Sequence, residues 1–468
     1  MAKTKEKKGL NISAKSFITA ILVIFGLMVV CYALTFIVQA GEYTRVEDSK
    51  GNLVIDSTSV YQKVNGGIPF WKWACSPILV LGASGNTALI AVIAFLLVIG
   101  GVFNALNSCH LIKYMLDKLT VKFKNKRYLL LAIILLFFML LGSLVGSFEE
   151  VVPLVPIVVA LAVALGWDVY TGIFMSLLAV GCGFAAGVSN PFTVGVAQEL
   201  AGLTMFSGAW FRVVAFVLIY ALLLGFVYFY AKKKEKPLQY LQQIDQIVKD
   251  KKMDRATILF VSILSVGIVA IVCSGFIPAL QDFTMIIVAI TFLIAGVTST
   301  LVSGMSFKSL CKNTFYGVIG ILPAVVMILM ASSIKYTLQE AKILDTILYG
   351  AEILSKKLPN WSIILFIYLI VLVFNFFIPS GSAKAFMLIP IIIPIANMCG
   401  ISRQLCVVAF AFGDGFSNVL YPTNAALLIS LGLVDVSYVD WFKKSWLFQL
   451  CNLVLTSLIL LLGLIIGY

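Results

Sequence analysis

The feature that most constrains this chain is a series of ten apolar stretches, none of which contains Asp, Glu, Lys or Arg. They are Ser16–Gly41, Ser76–Ile112, Tyr128–Phe148, Val169–Gln198, Val213–Ala231, Ala256–Gln281, Phe283–Phe307, Leu358–Ala383, Gly415–Val434 and Ser445–Tyr468. About 20 helical residues cross the roughly 30 Å hydrocarbon core of a bilayer, so each stretch is long enough to span it. Strands of that length would alternate apolar and polar residues, and these do not. The pattern predicts an all-α polytopic membrane protein of about ten crossings embedded in a lipid bilayer. Of 468 residues 61% are hydrophobic and 12% charged, too few charges to cover a water-facing surface.

The formal net charge of +13 could suggest a nucleic-acid partner, but its placement argues for none. Lys3, Lys5, Lys7, Lys8 and Lys15 precede the first stretch, and Lys113, Lys118, Lys122, Lys124, Lys126 and Arg127 follow the second. Lys232, Lys233, Lys234, Lys236, Lys249, Lys251, Lys252 and Arg255 sit mid-chain, whereas the loop Gly41–Lys72 mixes both signs. By the positive-inside rule the N-terminus and mid-chain loop are cytoplasmic, in a plasma or inner membrane. The first stretch lacks a small-residue cleavage site and reads as a retained helix. No C-x-x-C pair occurs among the nine cysteines, so neither a disulfide framework nor a metal site is expected. Trp71, Trp73 and Trp441 are expected to be interface anchors.

The connector 232–255 divides the chain into a basic tail (1–15) with a first membrane half (16–231) and a second half (256–468). Leu238, Leu241, Ile244 and Val248 in the connector are spaced helically, as in an amphipathic segment on the membrane surface. The segment Asp48–Ile55 has a turn followed by a strand pattern, which predicts a small hairpin. Glu150 and Lys384, Pro156 and Pro390, and Gly166 and Gly400 are each 234 residues apart, while Ser189-Asn190 and Ser417-Asn418 are 228 apart. Two repeats are expected, the second shifted by six residues at its Ser-Asn pair.

Each half carries a polar, glycine-bearing tip between apolar arms: near 146–150, ending in Glu149-Glu150, and near 379–384, Pro-Ser380-Gly381-Ser382-Ala-Lys384. Such arms predict re-entrant helical hairpins whose tips reach mid-membrane, where irregular backbone survives only against protein or water. Each half then carries a transmembrane helix broken inside an apolar stretch: near 187–193, with Ser189, Asn190, Pro191 and Thr193, and near 413–423, with Asp414, Ser417, Asn418, Pro422 and Thr423. Breaks free backbone donors and acceptors, half-helix N-termini favour anions, and paired breaks point to a transporter's midplane site. Small polar residues also simply pack membrane helices, but two matching breaks beside two matching tips favour substrate binding.

Charges inside a membrane are costly and functional by default. Glu149 and Glu150 could take a cationic group, a cation or a proton. Lys384 could take a carboxylate or pair with the glutamates, and Asp414 could sense an ion or an amine; an internal charge pair is the alternative. His110, Lys335 and Glu340 are expected to lie outside the site. An intramembrane protease would need a second intramembrane aspartate besides Asp414, and one histidine offers no catalytic constellation, so no enzyme and no cofactor are expected. A channel would show flux without saturation.

The motifs Glu149-Glu150-Val-Val-Pro153-Leu-Val-Pro156, Asn190-Pro191-Phe192-Thr193, Pro379-Ser380-Gly381-Ser382-Ala383-Lys384 and Gly413-Asp414-Gly415-Phe416-Ser417-Asn418 resemble those of the C4-dicarboxylate anaerobic carrier family of the ion transporter superfamily, in its YfcC-type branch. The resemblance implies inverted repeats and homodimers with a scaffold and an elevator-type transport domain. It also implies Ser-Asn-Thr motifs that hold carboxylate and frame sodium sites. Here that triplet is stretched, so the coupling ion, sodium or proton, stays open. The branch implies arginine/ornithine antiport; the family name implies C4-dicarboxylates. At about 4 Å and an effective dielectric near 20, one like-charge pair between a dicarboxylate and the acidic tip costs about 4 kcal/mol. An amino acid with a cationic group fits better, its carboxylate at the Ser-Asn breaks and its cation at Glu149 and Glu150.

Overall fold

The computed structural model describes residues 14–47, 53–56, 59–83, 87–123, 126–146, 148–235, 250–277 and 284–468. The tail lysines before residue 14, Lys124, Ser147, the turn at 48–52 and the helical spacing expected over Leu238–Val248 lie outside the described residues.

Apolar helices dominate, because a backbone in hydrocarbon must satisfy its own donors and acceptors. In chain order they are α1 Ala14–Ile37, α2 Thr87–Ser108, α3 Leu111–Phe123, α4 Arg127–Val145, α5 Val155–Ala164, α6 Val169–Ala185, α7 (191–200), α8 Ala209–Lys234 and α9 Lys251–Phe276. There follow α10 Thr284–Val302, α11 Phe307–Glu340, α12 Leu344–Ser355, α13 Asn360–Phe377, α14 Gly381–Met398, α15 Arg403–Gly415, α16 Ala425–Leu433 and α17 Tyr438–Ile465. Among the described residues seven (α2, α4, α8, α9, α11, α14 and α17) are long and apolar enough to cross a membrane, and α1, α6, α10 and α13 are shorter apolar helices.

Three differences from the sequence expectation have physical causes. Gly415–Val434 is not one crossing: a 3-10 turn over Phe416–Val419 and Asn424 separate α15 from α16. The 34-residue α11 is a further helix outside those ten stretches; its apolar centre, residues 313–334, lies between Lys312 and Lys335. Trp441 is not an interface anchor. It is fully buried, and its Nε1 donates to the Val419 carbonyl at 2.8 Å, a group left open where α15 ends. Trp73 is buried as well, donating to the Met28 carbonyl at 3.3 Å, whereas Trp71 is exposed. Trp441→Phe keeps the ring and loses the donor. It should lower stability by about 1–3 kcal/mol, the cost of an unpaired buried acceptor, read from the melting of the protein in detergent.

Strands β1 Gly41–Glu42, β2 Arg45–Glu47, β3 Leu53–Ile55 and β4 Gln62–Lys63 form two small antiparallel pairs, β1 with β4 and β2 with β3. The pairing of Val46 with Val54 is the expected hairpin. Arg45 pairs with Asp345 at 2.7 Å, tying this loop to α12, and β3 packs on α14.

The helices form two sets. α2 packs on α10 and α11, α1 on α11, and α9 on α10. In the other set α4 packs on α6, α6 and α13 on α15, and α17 on α8 and α13. The polar groups of interest sit in this second set, where α6 and α15 cross.

Candidate substrate site at two interrupted helices

The site is built from two chain breaks and two tips. α4 ends in a π turn, Leu141–Val145, and Gly146 reverses the chain with φ 77°. A Cβ there would stand 2.3 Å from Asn190 Oδ1, so the left-handed turn and its approach to Asn190 both require glycine. A 3-10 turn, Glu149–Leu154, then leads into α5.

α6 stops at Ala185, and its open backbone groups find partners on that π turn. Ser143 Oγ donates to the Ala186 carbonyl at 2.7 Å and accepts from Val188 N at 3.1 Å, while the Ser143 carbonyl accepts from Ser189 N at 3.2 Å. Ser189 Oγ donates to the Leu144 carbonyl at 3.3 Å, and buried Arg212 donates to the Val188 carbonyl at 3.2 Å. The chain restarts at Pro191, which has no donor to satisfy. Asn190 Oδ1 caps the new helix, accepting from Phe192 N at 2.9 Å and Thr193 N at 3.2 Å. The second break ends alike: Asn424 Oδ1 caps α16, accepting from Leu427 N at 3.2 Å. Asn190 and Asn424, 234 residues apart, each cap the helix that follows a break, whereas Asn418 Oδ1 accepts from Asn375 and Asn424. Asp168 and Ser402, also 234 apart, cap the two interrupted helices at their starts, accepting from Thr171 N at 2.9 Å and Leu405 N at 3.1 Å.

One hydrogen-bond network joins the caps. Asn190 Nδ2 donates to Thr193 Oγ1 at 3.2 Å, and Thr193 Oγ1 donates to Asp414 Oδ2 at 3.1 Å. Lys384 Nζ donates to Asp414 Oδ1 at 2.7 Å, to the Ile378 carbonyl at 3.2 Å and to Asn375 Oδ1, so its three protons are all used. Asn375 Nδ2 reaches Ser417 Oγ at 2.6 Å, Asn418 Oδ1 at 2.9 Å and the Asp414 carbonyl at 3.1 Å. Ser417 Oγ donates to the Gly413 carbonyl at 2.8 Å, and Asn424 Nδ2 closes the chain on Asn418 Oδ1 at 3.2 Å. Lys384 and Asp414 are both 0% exposed, a setting in which a charge persists only if paired. Gly381 adjoins this pair; a Cβ on it would lie 2.6 Å from Asp414 Oδ2.

The structure thus gathers Asn190, Thr193, Lys384, Asp414, Ser417 and Asn418, with Gly381 alongside. Lys384 pairs with Asp414, not with the glutamates. Ser189 turns away, toward α4. Ser380 is exposed and Ser382 half-buried, and neither side chain makes a hydrogen bond among the described residues. Thr423 is buried, its Oγ1 without a partner. Glu149 and Glu150 are half-buried and form no ion pair among the described residues; Glu150 Oε2 is buried without a hydrogen bond. Sequence reading missed Asn375 and Asn424. Asn375 interrupts the apolar run of α13, where Tyr368 is the other polar side chain between Ile363 and Phe377, and Asn424 directly follows Pro422-Thr423, so both carried a signal.

The tips also cross over. The 3-10 turn at Glu149–Leu154 packs against α16, and α14 packs against α7, so each tip contacts the helix that follows the other break. Among the described residues no group of three His, Cys, Asp or Glu could hold a metal ion. The site offers neutral donors and acceptors, an ion pair between Lys384 and Asp414, and two carboxylates that form no ion pair among the described residues.

The profile of the family described as C4-dicarboxylate anaerobic carrier matches residues 17–465. The chain is 30% identical over 411 residues to an Escherichia coli (strain K12) protein named "Putative basic amino acid antiporter YfcC", covering 83% of this chain and 80% of that one. It is 24% identical over 508 residues to a Haemophilus influenzae (strain ATCC 51907 / DSM 11121 / KW20 / Rd) protein named "Uncharacterized protein", covering 98% of each. Among solved structures it aligns with the Alcanivorax borkumensis YdaH transporter (TM-score 0.47, 16% identity, 97% of this chain and 98% of that one). It also aligns with Neisseria gonorrhoeae MtrF (TM-score 0.46, 14% identity, 94% of each). A match over nearly the whole sequence, on a helical membrane chain, shows that this protein belongs to the C4-dicarboxylate anaerobic carrier family of transporters.

Proposed function

We propose that this transporter is a secondary active exchanger of basic amino acids, of the arginine/ornithine type. The observation that carries this reading is the uncompensated acidic pair Glu149 and Glu150. The site's own cation, Lys384, pairs with Asp414, and the adjoining glutamates form no ion pair among the described residues. Half-buried carboxylates inside a membrane favour a ligand that brings its own cation. Ser382 and Thr423, without hydrogen bonds, are the groups we assign to the substrate's other polar atoms; the caps Asn190 and Asn424 and the Lys384–Asp414 network shape the pocket. The name of the Escherichia coli relative supports the same substrate class.

The second reading, a C4-dicarboxylate, is favoured by the family's description and would require Lys384 to leave Asp414 for the substrate. Counterflow into proteoliposomes separates the two. Arginine or ornithine inside should drive saturable uptake of labelled arginine, while fumarate and succinate should not. Glu149→Gln/Glu150→Gln should then lower arginine uptake at least about tenfold, the loss of one charge-assisted bond. Uptake of dicarboxylates instead, or arginine uptake untouched by the double substitution, rejects the basic amino acid reading. Running the assay with and without sodium addresses the coupling ion.

We further infer two inverted repeats, 16–231 and 256–468. The support is the constant 234-residue spacing of the caps and the tip charges, together with the positions of the two hairpin bases. The first stands beside the end of α8, where Arg127 pairs with Glu235 at 2.8 Å and Tyr230 donates to Asp168 at 2.9 Å; the second begins just after α12, at the end carrying the strands. With the resemblance, this favours a homodimer in the cell membrane, N-terminus cytoplasmic. The set α1, α2, α9, α10 and α11 would be the scaffold, and the network-bearing helices the elevator-like moving part.

A further inference from the structure

A cleft of about 320 Å³ lies between α3, α5 and α9, away from the substrate network. Its wall is apolar: Ile112, Met115, Leu119, Val158, Leu161 and Phe260 among others. Lys118 and Lys122 of α3 also line it. Lys118 pairs with Asp254, whereas Lys122 is exposed and has no ion pair among the described residues. Lys251, Lys252 and Arg255, all exposed, flank Asp254 on the first turns of α9, so cations outnumber carboxylates here. A second observation points to an occupant: Thr257 lines the cleft and its Oγ1 is buried without a hydrogen-bond partner. On the outer side of α9, Ile258 is 67% exposed and Val261, itself a lining residue, 47%, so the cleft opens beside a face that only hydrocarbon would solvate.

We propose that this cleft binds an anionic phospholipid, an acyl chain lying along Met115, Val158 and Phe260 and the headgroup phosphate meeting Lys122. The chemistry argues for lipid over a soluble anion because the lining is nearly all hydrocarbon and only its rim is cationic. A zwitterionic lipid would fill the same groove but gain less from an unpaired lysine. The lipid would thereby contact α3, α5 and α9 together.

The purified full chain in detergent, offered equal amounts of phosphatidylglycerol and phosphatidylethanolamine of matched acyl chains and read by native mass spectrometry, tests this. Wild type should retain phosphatidylglycerol preferentially. Lys122→Gln should lower its retention about fivefold while leaving phosphatidylethanolamine unchanged. Val261→Trp, at a half-exposed lining position, should lower retention of both by filling the groove. Inorganic phosphate in excess should displace neither. The proposal is overturned if no preference is seen, if Lys122→Gln retains phosphatidylglycerol as wild type does, or if phosphate displaces the lipid and so marks a plain anion site. Lys122 faces solvent, so its variant folds regardless and the test decides even if Val261→Trp does not.

Discussion

Lys384→Met is expected to destabilise the folded protein by about 3–5 kcal/mol and to abolish transport. The methionine keeps the volume of the lysine stem but leaves Asp414 ionised, 0% exposed and without a cation. It also withdraws a donor from Asn375 and from the Ile378 carbonyl. The informative comparison is the double variant Lys384→Met/Asp414→Asn. It removes both charges together and still offers Thr193 an acceptor, so most of the lost stability should return, since a buried pair as a whole contributes little beyond cancelling itself. Transport should stay absent in the double variant if the pair shapes the pocket. Melting in detergent gives the first quantity and proteoliposome counterflow the second. A single variant that melts like wild type would mean that Asp414 is not charged in the native state.

Gly415→Val should be nearly as damaging for a steric reason. A Cβ on Gly415 would lie 2.1 Å from both the Cα and the backbone N of Ala185, at the crossing of α15 and α6. Backbone cannot rotate aside as a side-chain end can, so the two helices must separate. Overpacking of this kind costs typically about 1–3 kcal/mol, and contact with main chain puts this case at the upper end. The separation would also pull Asp414 from Thr193, so transport should fall more than stability alone accounts for. Gly415→Ala should show the same direction with a smaller shift. If both variants melt and transport like wild type, the close crossing is not a feature of the native protein.

The membrane class was legible because hydrocarbon leaves the chain so few options. Long runs without charge can only be helices there, and seven described helices meet that standard. Lone polar or charged residues within such runs were also legible, which is why Lys384, Asp414, Thr193 and Ser417 stood out and why Asn375 could have. Glycine and proline clusters marked the breaks to within a few residues, since neither residue sustains a regular helix.

Pairing was a different matter. The Glu150–Lys384 correspondence made a charge pair between the tips attractive, yet the lysine bonds to Asp414, one interrupted helix away. Trp441 had the amphipathic character of an interface residue and instead serves an open carbonyl at the second break. The Ser-Asn dipeptides drew attention to Asn418, yet the residue that caps the helix after the second break is Asn424.

The sequence by itself determined that this is a helical membrane protein with two kinked, polar-tipped places per half, because composition decides what a bilayer tolerates. Only the tertiary structure decided which buried polar group satisfies which. Such bonds last only where geometry brings donor to acceptor within about 3 Å, and spacing along the chain does not say which side chains meet when they lie 30 or 221 residues apart, as Lys384 with Asp414 and Thr193 with Asp414 do.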